Sequence, residues 1–453
     1  MKKGTRFTSA LLTLLLLFSL VLPAQAATIE EWTADWKTHT ADAGKIALTP
    51  GENYNDMSFA WVSFAREKAP GFQYSQSPDL ADAAQAEIGE RRSGMLYHSY
   101  TVSLKALAQG TWYYSFTSGG AWTAVHSFRI TDPKDGFQVM FTADAQIGRS
   151  GESTLDEVLQ RDSLGWNTTL EATMQVAPDT SFILHAGDQV EDFYSKKQYN
   201  LFLAPSLTKS LPIATAIGNH DFVTALYDLH FNNPNQVKET YTTAGNPYYF
   251  ERGGVLFIVA NGNNLIAGDH DNLMYEAVKA YPDAKWRVMM IHQGPYYPDM
   301  VDEIAVNSFV PLYDKYSIDL VLCGHLHKYS RTYPLKGNAV AADGKGTVYL
   351  AAGSASGSNM RHFETTTEFV EAAYDFDVPG FSILDFKDGA LGIKTYRNDT
   401  LEVVDECVIT KDVSEAAPVP QQGASPLFNI ISKIIRAVLD FVDGYIHKLY
   451  DLR

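Results

Sequence analysis

The chain has 453 residues, with 53 Asp and Glu against 36 Lys and Arg and a formal net charge of −17 at pH 7. That acidity opposes binding of nucleic acid or an anionic membrane by the body of the protein, so any anionic ligand must be drawn in by local cations. Only Cys323 and Cys407 are present, which excludes a disulfide framework and leaves apolar cores to hold the fold.

Lys2, Lys3 and Arg6 precede an apolar run from Ala10 to Leu22 and the small-residue site Ala24-Gln-Ala26. This is the pattern of a secretory signal over residues 1–26, and the run is short for a membrane span. Its removal takes three positive charges and no acids, so −17 becomes −20. The expected destination is secreted or cell-surface.

Residues 27–132 carry short alternating runs: Met57 to Phe64, Phe72 to Ser75, Tyr100 to Leu104, Trp112 to Phe116 and Ala124 to Ile130. Their spacing predicts an all-β sandwich. Its many Trp and Tyr residues are expected chiefly in the core and against the next domain, with a carbohydrate or partner surface as the alternative.

Residues 133–411 change pattern. Apolar runs alternate with helical stretches such as 155–176 and 272–280, which predicts an α/β domain. Five of these runs end in residues suited to metal ligation. They are Phe137-Gln-Val-Met-Phe-Thr-Ala-Asp144-Ala-Gln146, Phe182-Ile-Leu-His-Ala-Gly-Asp188, Ala214-Thr-Ala-Ile-Gly-Asn219-His220-Asp221, Arg287-Val-Met-Met-Ile-His292 and Leu320-Val-Leu-Cys-Gly-His325-Leu-His327. An i, i+2 pair in extended backbone projects to one side, so His325 and His327 reach the same site. Asp188 offers two oxygens to bridge cations, Asn219, His292 and His325 offer neutral donors, and Asp144 and His327 complete a harder neighbouring site. Two metals roughly 3.5–4 Å apart would clamp a phosphoryl group and activate a water for direct attack. No serine or cysteine is placed as a nucleophile.

Together these motifs resemble the calcineurin-like metallophosphoesterase superfamily, and His325-Leu-His327-Lys-Tyr329-Ser-Arg331-Thr-Tyr-Pro334 is similar to the purple acid phosphatase branch. The resemblance covers about 136–398. It implies two mixed sheets flanked by helices, preceded by a fibronectin type III-like module, with Leu107-Ala-Gln-Gly-Thr-Trp-Tyr113 similar to a corner of such modules. It also implies one site of Asp144, Asp188 and His327, a second of Asp188, Asn219, His292 and His325, and His220 as the catalytic histidine.

Two departures stand out. Gln146 occupies the place of the superfamily's usual histidine and offers an amide oxygen as a weaker ligand. Glu191 stands where purple acid phosphatases carry a metal-binding tyrosine, so ferric iron loses its strong ligand and iron, manganese or zinc all fit. Glu191, Asp192 and Tyr194 are candidates for that vacancy or for positions around it. Asp221 either orients an imidazole or is a solvated loop acid. Arg331 is expected to pair with an acid and brace the His-x-His loop. His185 reads as a core histidine, Tyr296 and Tyr297 as cleft or packing residues, and Gly353-Ser-Ala-Ser-Gly357 as the family's late glycine turn.

Residues 412–426 are a linker by composition, and 427–453 form an amphipathic helix suited to docking, self-association or a membrane interface. The expected protein is thus an exported dinuclear phosphate-ester hydrolase, with monoesters favoured and diesters or nucleotides as alternatives on the same site. The competing reading is an exported binding module with a reduced site, tethered by its last helix.

Overall fold

A computed structural model of the chain describes residues 27–64, 66–93, 97–240, 242–414 and 416–421. The signal segment and the 427–453 helix lie outside the described residues.

The first described elements are helical. Thr28 caps the helix Ile29–Ala34 in a reciprocal capping box with Glu31, and Trp36–Thr40 follows. Both lie inside the range assigned to the sandwich, yet they pack on the next domain. Trp32 Nε1 donates to Ser163 Oγ at 2.9 Å, and Asp42 pairs with Lys196 at 2.6 Å.

Two antiparallel sheets follow. One runs in the order Ala47–Pro50, Met57–Ser63, Tyr97–Leu104, Gly89–Ser93. The other pairs Ala84–Gln85 with Phe72–Ser75 and Phe72–Ser75 with Gly110–Ser118, and His126–Ile130 pairs with Gly110–Ser118 from the other side. Phe59, Trp61, Phe72, Tyr100, Tyr114, Phe116 and Phe128 fill one core drawn from both sheets. The aromatics are therefore core residues in the main, with Trp122 half exposed.

From Phe137 the chain builds a double-sheet α/β unit. A six-stranded mixed sheet has the order Ile213–Thr215, Ile183–His185, Phe137–Thr142, Gly380–Lys387, Ala390–Arg397, Val403–Thr410. A seven-stranded mixed sheet has the order Tyr248–Arg252, Val255–Val259, Trp286–Met290, Leu320–Cys323, Val348–Ala351, Tyr329–Thr332, Val370–Tyr374. Phe141, Leu184, Phe257, Val288, Leu322 and Leu384 meet in one cluster joining the two sheets. Helix Asp156–Val176 packs with the six-stranded sheet, and Ala267–Ala280 and Glu303–Lys315 pack with the seven-stranded one. The central strands are buried along their whole length, which is why they read as continuous apolar runs rather than alternating ones.

The six strands Phe137–Thr142, Ile183–His185, Ile213–Thr215, Val255–Val259, Trp286–Met290 and Leu320–Cys323 run parallel within their sheets. Their carboxyl ends carry the polar turns, the usual place for a ligand site in such sheets.

Candidate metal centre

The turns after five of these strands converge. Asp188, His292 and His325 present ligand atoms within 4.8 Å of one another. Asp144 joins them through the His325 backbone, whose N–H donates to Asp144 Oδ2 at 2.9 Å, and His327 Nε2 faces Asp144 Oδ1 at 3.4 Å. Asn219 Oδ1 lies 3.1 Å from His292 Nε2, and the His220 N–H donates to Asp188 Oδ1 at 2.9 Å. The seven expected ligand positions thus form one buried to half-buried group, with Gln146 on the same loop as Asp144 and its N–H donating to the Asp188 carbonyl at 2.8 Å.

Close approach demands small residues and unusual backbone here. A Cβ on Gly218 would lie 2.0 Å from Asp188 Oδ1, and one on Gly324 would lie 2.5 Å from Asp144 Oδ2. Asp144, Gln146, Asp188, His325 and His327 all adopt positive φ without being glycine. Such conformations cost about 1–3 kcal/mol each and persist where surrounding structure enforces them, often at functional sites.

The donor set fits a divalent cation. His292 Nδ1 is held by the Ala186 carbonyl at 2.7 Å and His327 Nδ1 by the Ser358 carbonyl at 2.9 Å, so each ring presents Nε2 to a carboxylate. His292 Nε2 stands 3.1 Å from Asp188 Oδ2. Two acceptors at that distance need a proton or a metal between them. Without metal, burial works against the charged His292 ring, but the Asp188 carboxylate outweighs it and raises the group to about 9. Burial likewise works against the Asp188 anion, and the His292 charge overcomes it and holds Asp188 low. His327 is raised in the same way by Asp144, whereas burial and then the His292 charge push His325 down to about 4.

Other expectations resolve case by case. Asp221 neither orients His220 nor meets solvent. It is fully buried, accepts from Tyr199 OH at 3.0 Å and the Gly218 N–H at 3.0 Å, and is pushed up to about 7 by burial and the neighbouring Asp188 charge. His220 Nδ1 instead meets the Glu191 carbonyl at 2.9 Å. The Glu191 carboxylate takes Gln146 and Arg149, Asp192 takes the Gln198 amide at 2.8 Å, and Tyr194 is exposed. Arg331 pairs with Asp405 and Glu371. His185 is a buried core histidine against Trp166 and Phe202. Tyr296 and Tyr297 are both buried, as packing residues. The late glycine turn lies beneath the ligands, with Ser354 Oγ donating to the Asp144 carbonyl at 3.0 Å. Cys323 and Cys407 are both free.

A sixth strand end escaped the sequence reading. Val255–Val259 leads into Asn261-Gly-Asn263, and Asn263 Nδ2 donates to the Gly218 carbonyl at 3.2 Å, supporting the Asn219–His220 turn. Asn261 Nδ2 in turn donates to Glu239 Oε2 at 2.8 Å. The same signal, polar residues after an apolar run, was present there. Burial pushes Glu239 up to about 8, so its neutral form is favoured in the folded chain. Its contribution to stability is full below its ordinary value of 4.5 and is lost as pH rises through about 8. The Glu239 contribution is expected to fall by several kcal/mol between pH 5 and pH 8, at about 1.4 kcal/mol per unit. Glu239→Gln should flatten that part of the fall, read from urea midpoints across the range. An unchanged pH slope in the variant contradicts the assignment.

The double-sheet fold and the convergent ligand residues are those of a metallophosphoesterase-like domain. Residues 137–329 match the model of the calcineurin-like phosphoesterase family, and the chain carries a domain of that family. A purple acid phosphatase from yellow lupin (Lupinus luteus) seeds shares the fold with a TM-score of 0.66 and 16% identity, over 84% of this chain and 77% of that one. PhoD shares it with a TM-score of 0.54 and 8% identity, over 88% of this chain and 98% of that one. Among curated proteins, the probable inactive purple acid phosphatase 24 of Arabidopsis thaliana is 22% identical over 450 residues, 84% of this chain and 71% of its own length. An uncharacterized protein of Mycobacterium tuberculosis is 55% identical over 110 residues, 20% of this chain and 21% of that one.

Proposed function

We propose that the protein is an exported, dinuclear metal-dependent hydrolase of phosphate esters, with monoesters its favoured substrates. The observation that carries this reading is the convergence of Asp144, Asp188, Asn219, His292, His325 and His327 with acceptor atoms facing one another across the site. Asp144, Asp188 and His327 would hold one cation, and Asp188, Asn219, His292 and His325 the other. Bound there, the two ions supply Lewis acidity to the phosphoryl oxygens and lower the pKa of a coordinated water.

The chain's own residues do the rest. The Nδ1 atom of His220 is engaged by Glu191, which leaves Nε2 open toward the substrate, where the doubly protonated ring would donate to a phosphoryl oxygen or to the leaving group. Arg361 is exposed and near enough to His325 for its charge to bear on that ring, and it supplies a local cation for an anionic substrate in a chain with a formal charge of −17. Arg331, bound to two acids, is not available to phosphate.

The reading includes a fibronectin type III-like module ahead of the catalytic domain, supported by the two facing antiparallel sheets. Export rests on residues 1–26 and an accessory role for 427–453 on its apolar face, both read from sequence. The Arabidopsis relative is described as probably inactive, and a binding module with a reduced site is the corresponding alternative. The intact ligand set weighs against it here. The test is hydrolysis of p-nitrophenyl phosphate and bis(p-nitrophenyl) phosphate after chelation and readdition of manganese, iron or zinc. The expected result is metal-dependent turnover, faster on the monoester, with kcat lowered roughly 10²–10⁴-fold in His220→Ala and metal content unchanged. Silence on both esters with two metals bound would favour the binding module.

A further inference from the structure

Glu191 joins three side chains at once, Gln146, His220 and Arg149. Its Oε2 accepts from Gln146 Nε2 at 2.9 Å and faces His220 Nδ1 at 3.3 Å, while Oε1 accepts from Arg149 at 2.9 Å. Its backbone carbonyl meets His220 Nδ1 at 2.9 Å. A carboxylate paired with a guanidinium has acceptors only, so the amide face that Gln146 turns to it must be the NH₂. The orientation of that amide is therefore fixed. Gln146 Oε1 is left on the other side, buried, with no hydrogen-bond partner among the described residues.

A buried amide oxygen without a partner destabilises a fold unless something fills its lone pairs. Gln146 is two residues from Asp144, and its backbone is bonded to that of Asp188. A cation held at Asp144 is a group that could fill it. The same logic applies to His220: with two oxygens of Glu191 at Nδ1, that nitrogen carries the proton and Nε2 remains the open face.

We propose that Glu191 is the positioning residue of the centre. It holds the Gln146 amide so that Oε1 serves as a ligand to the cation at Asp144, and it holds His220 so that Nε2 faces the phosphoryl group. This inference rests on the dinuclear reading above. It also explains why a glutamate can stand where a ligating tyrosine is absent: the missing ligand is replaced by Gln146, and Glu191 makes that amide competent.

The test uses the full chain stripped of metal and titrated with Mn²⁺ by calorimetry, followed by kinetics on p-nitrophenyl phosphate at saturating Mn²⁺. Glu191→Gln keeps the shape but lets either amide face turn inward. It should weaken one of two Mn²⁺ sites by about 10–100-fold, the usual effect of losing an outer-shell partner, and lower kcat with little change in KM. Gln146→Ala should reproduce the affinity loss. In that background Glu191→Gln should weaken Mn²⁺ no further and still lower kcat, because His220 is then the residue affected. A Glu191→Gln protein that keeps both affinities and its kcat overturns the inference while the dinuclear reading stands. Further loss of affinity in the Gln146→Ala background would make Glu191 a ligand itself and also overturn it. Wild-type protein that binds fewer than two Mn²⁺ removes the reading on which it rests.

Discussion

Asp188→Asn is expected to reduce hydrolysis by roughly a thousandfold or more, about 4 kcal/mol of transition-state stabilisation, and to empty both metal positions at neutral pH. The substitution changes almost no volume, so its effect is electrostatic. Asp188 is buried between His292 Nε2 at 3.1 Å and the His220 N–H at 2.9 Å, and it is the carboxylate shared by both proposed ligand sets. An amide there removes the anion, and since its oxygen must keep the His220 N–H, its NH₂ turns to His292 Nε2 and occupies the face that would otherwise bind a cation. Metal content by mass spectrometry, kcat/KM on p-nitrophenyl phosphate and the circular-dichroism melt separate the cases. Lost metal and lost activity with a retained fold is the predicted outcome. Full activity in the variant would remove Asp188 from the chemistry.

Asp405→Ala is expected to cost about 1–3 kcal/mol of stability, because Arg331 loses its two-pronged buried partner and keeps only the part-exposed Glu371. Arg331 and Asp405 are each less than a tenth exposed and form a two-pronged pair, Nε to Oδ2 at 2.7 Å and Nη2 to Oδ1 at 2.9 Å. Tyr329 OH donates to the same Oδ2 at 2.7 Å and accepts from Thr395 Oγ1 at 2.9 Å. This network ties the strand that follows His327 to the far edge of the six-stranded sheet, so its loss reaches the metal centre through two residues of backbone. Replacing both partners by apolar residues, Arg331→Met with Asp405→Leu, should cost less than Asp405→Ala alone. Urea unfolding of the single and double variants measures the difference. A double variant less stable than the single would mean that the pair contributes more than it costs to bury.

The candidate site was legible because its residues follow apolar runs at the carboxyl ends of parallel strands, where local sequence and global position coincide. Long-range partners were not. Asp221 meets Tyr199 across 22 residues, and Glu191 meets Gln146 across 45, distances over which one sequence carries no pairing signal. The strand Gly89–Ser93 was missed because its Glu-Arg-Arg core has no apolar alternation. Arg91 there reaches the Phe231 carbonyl at 3.1 Å, so contact with the catalytic domain replaces the usual pattern. The helix at Ile29 did announce itself through Thr28 and Glu31, a capping signature that short length made easy to pass over. Arg331 was placed with an acid from its motif alone, but only the fold could identify Asp405 and Glu371 as that acid's two sources.

The most direct test of a dinuclear centre is an anomalous difference map from crystals of the protein grown with manganese. Two peaks are predicted, one bounded by Asp144, Asp188 and His327 and the other by Asp188, Asn219, His292 and His325. A map with no peak at Asp188, or with a single ion that leaves Asp144 and His327 unligated, would contradict the account.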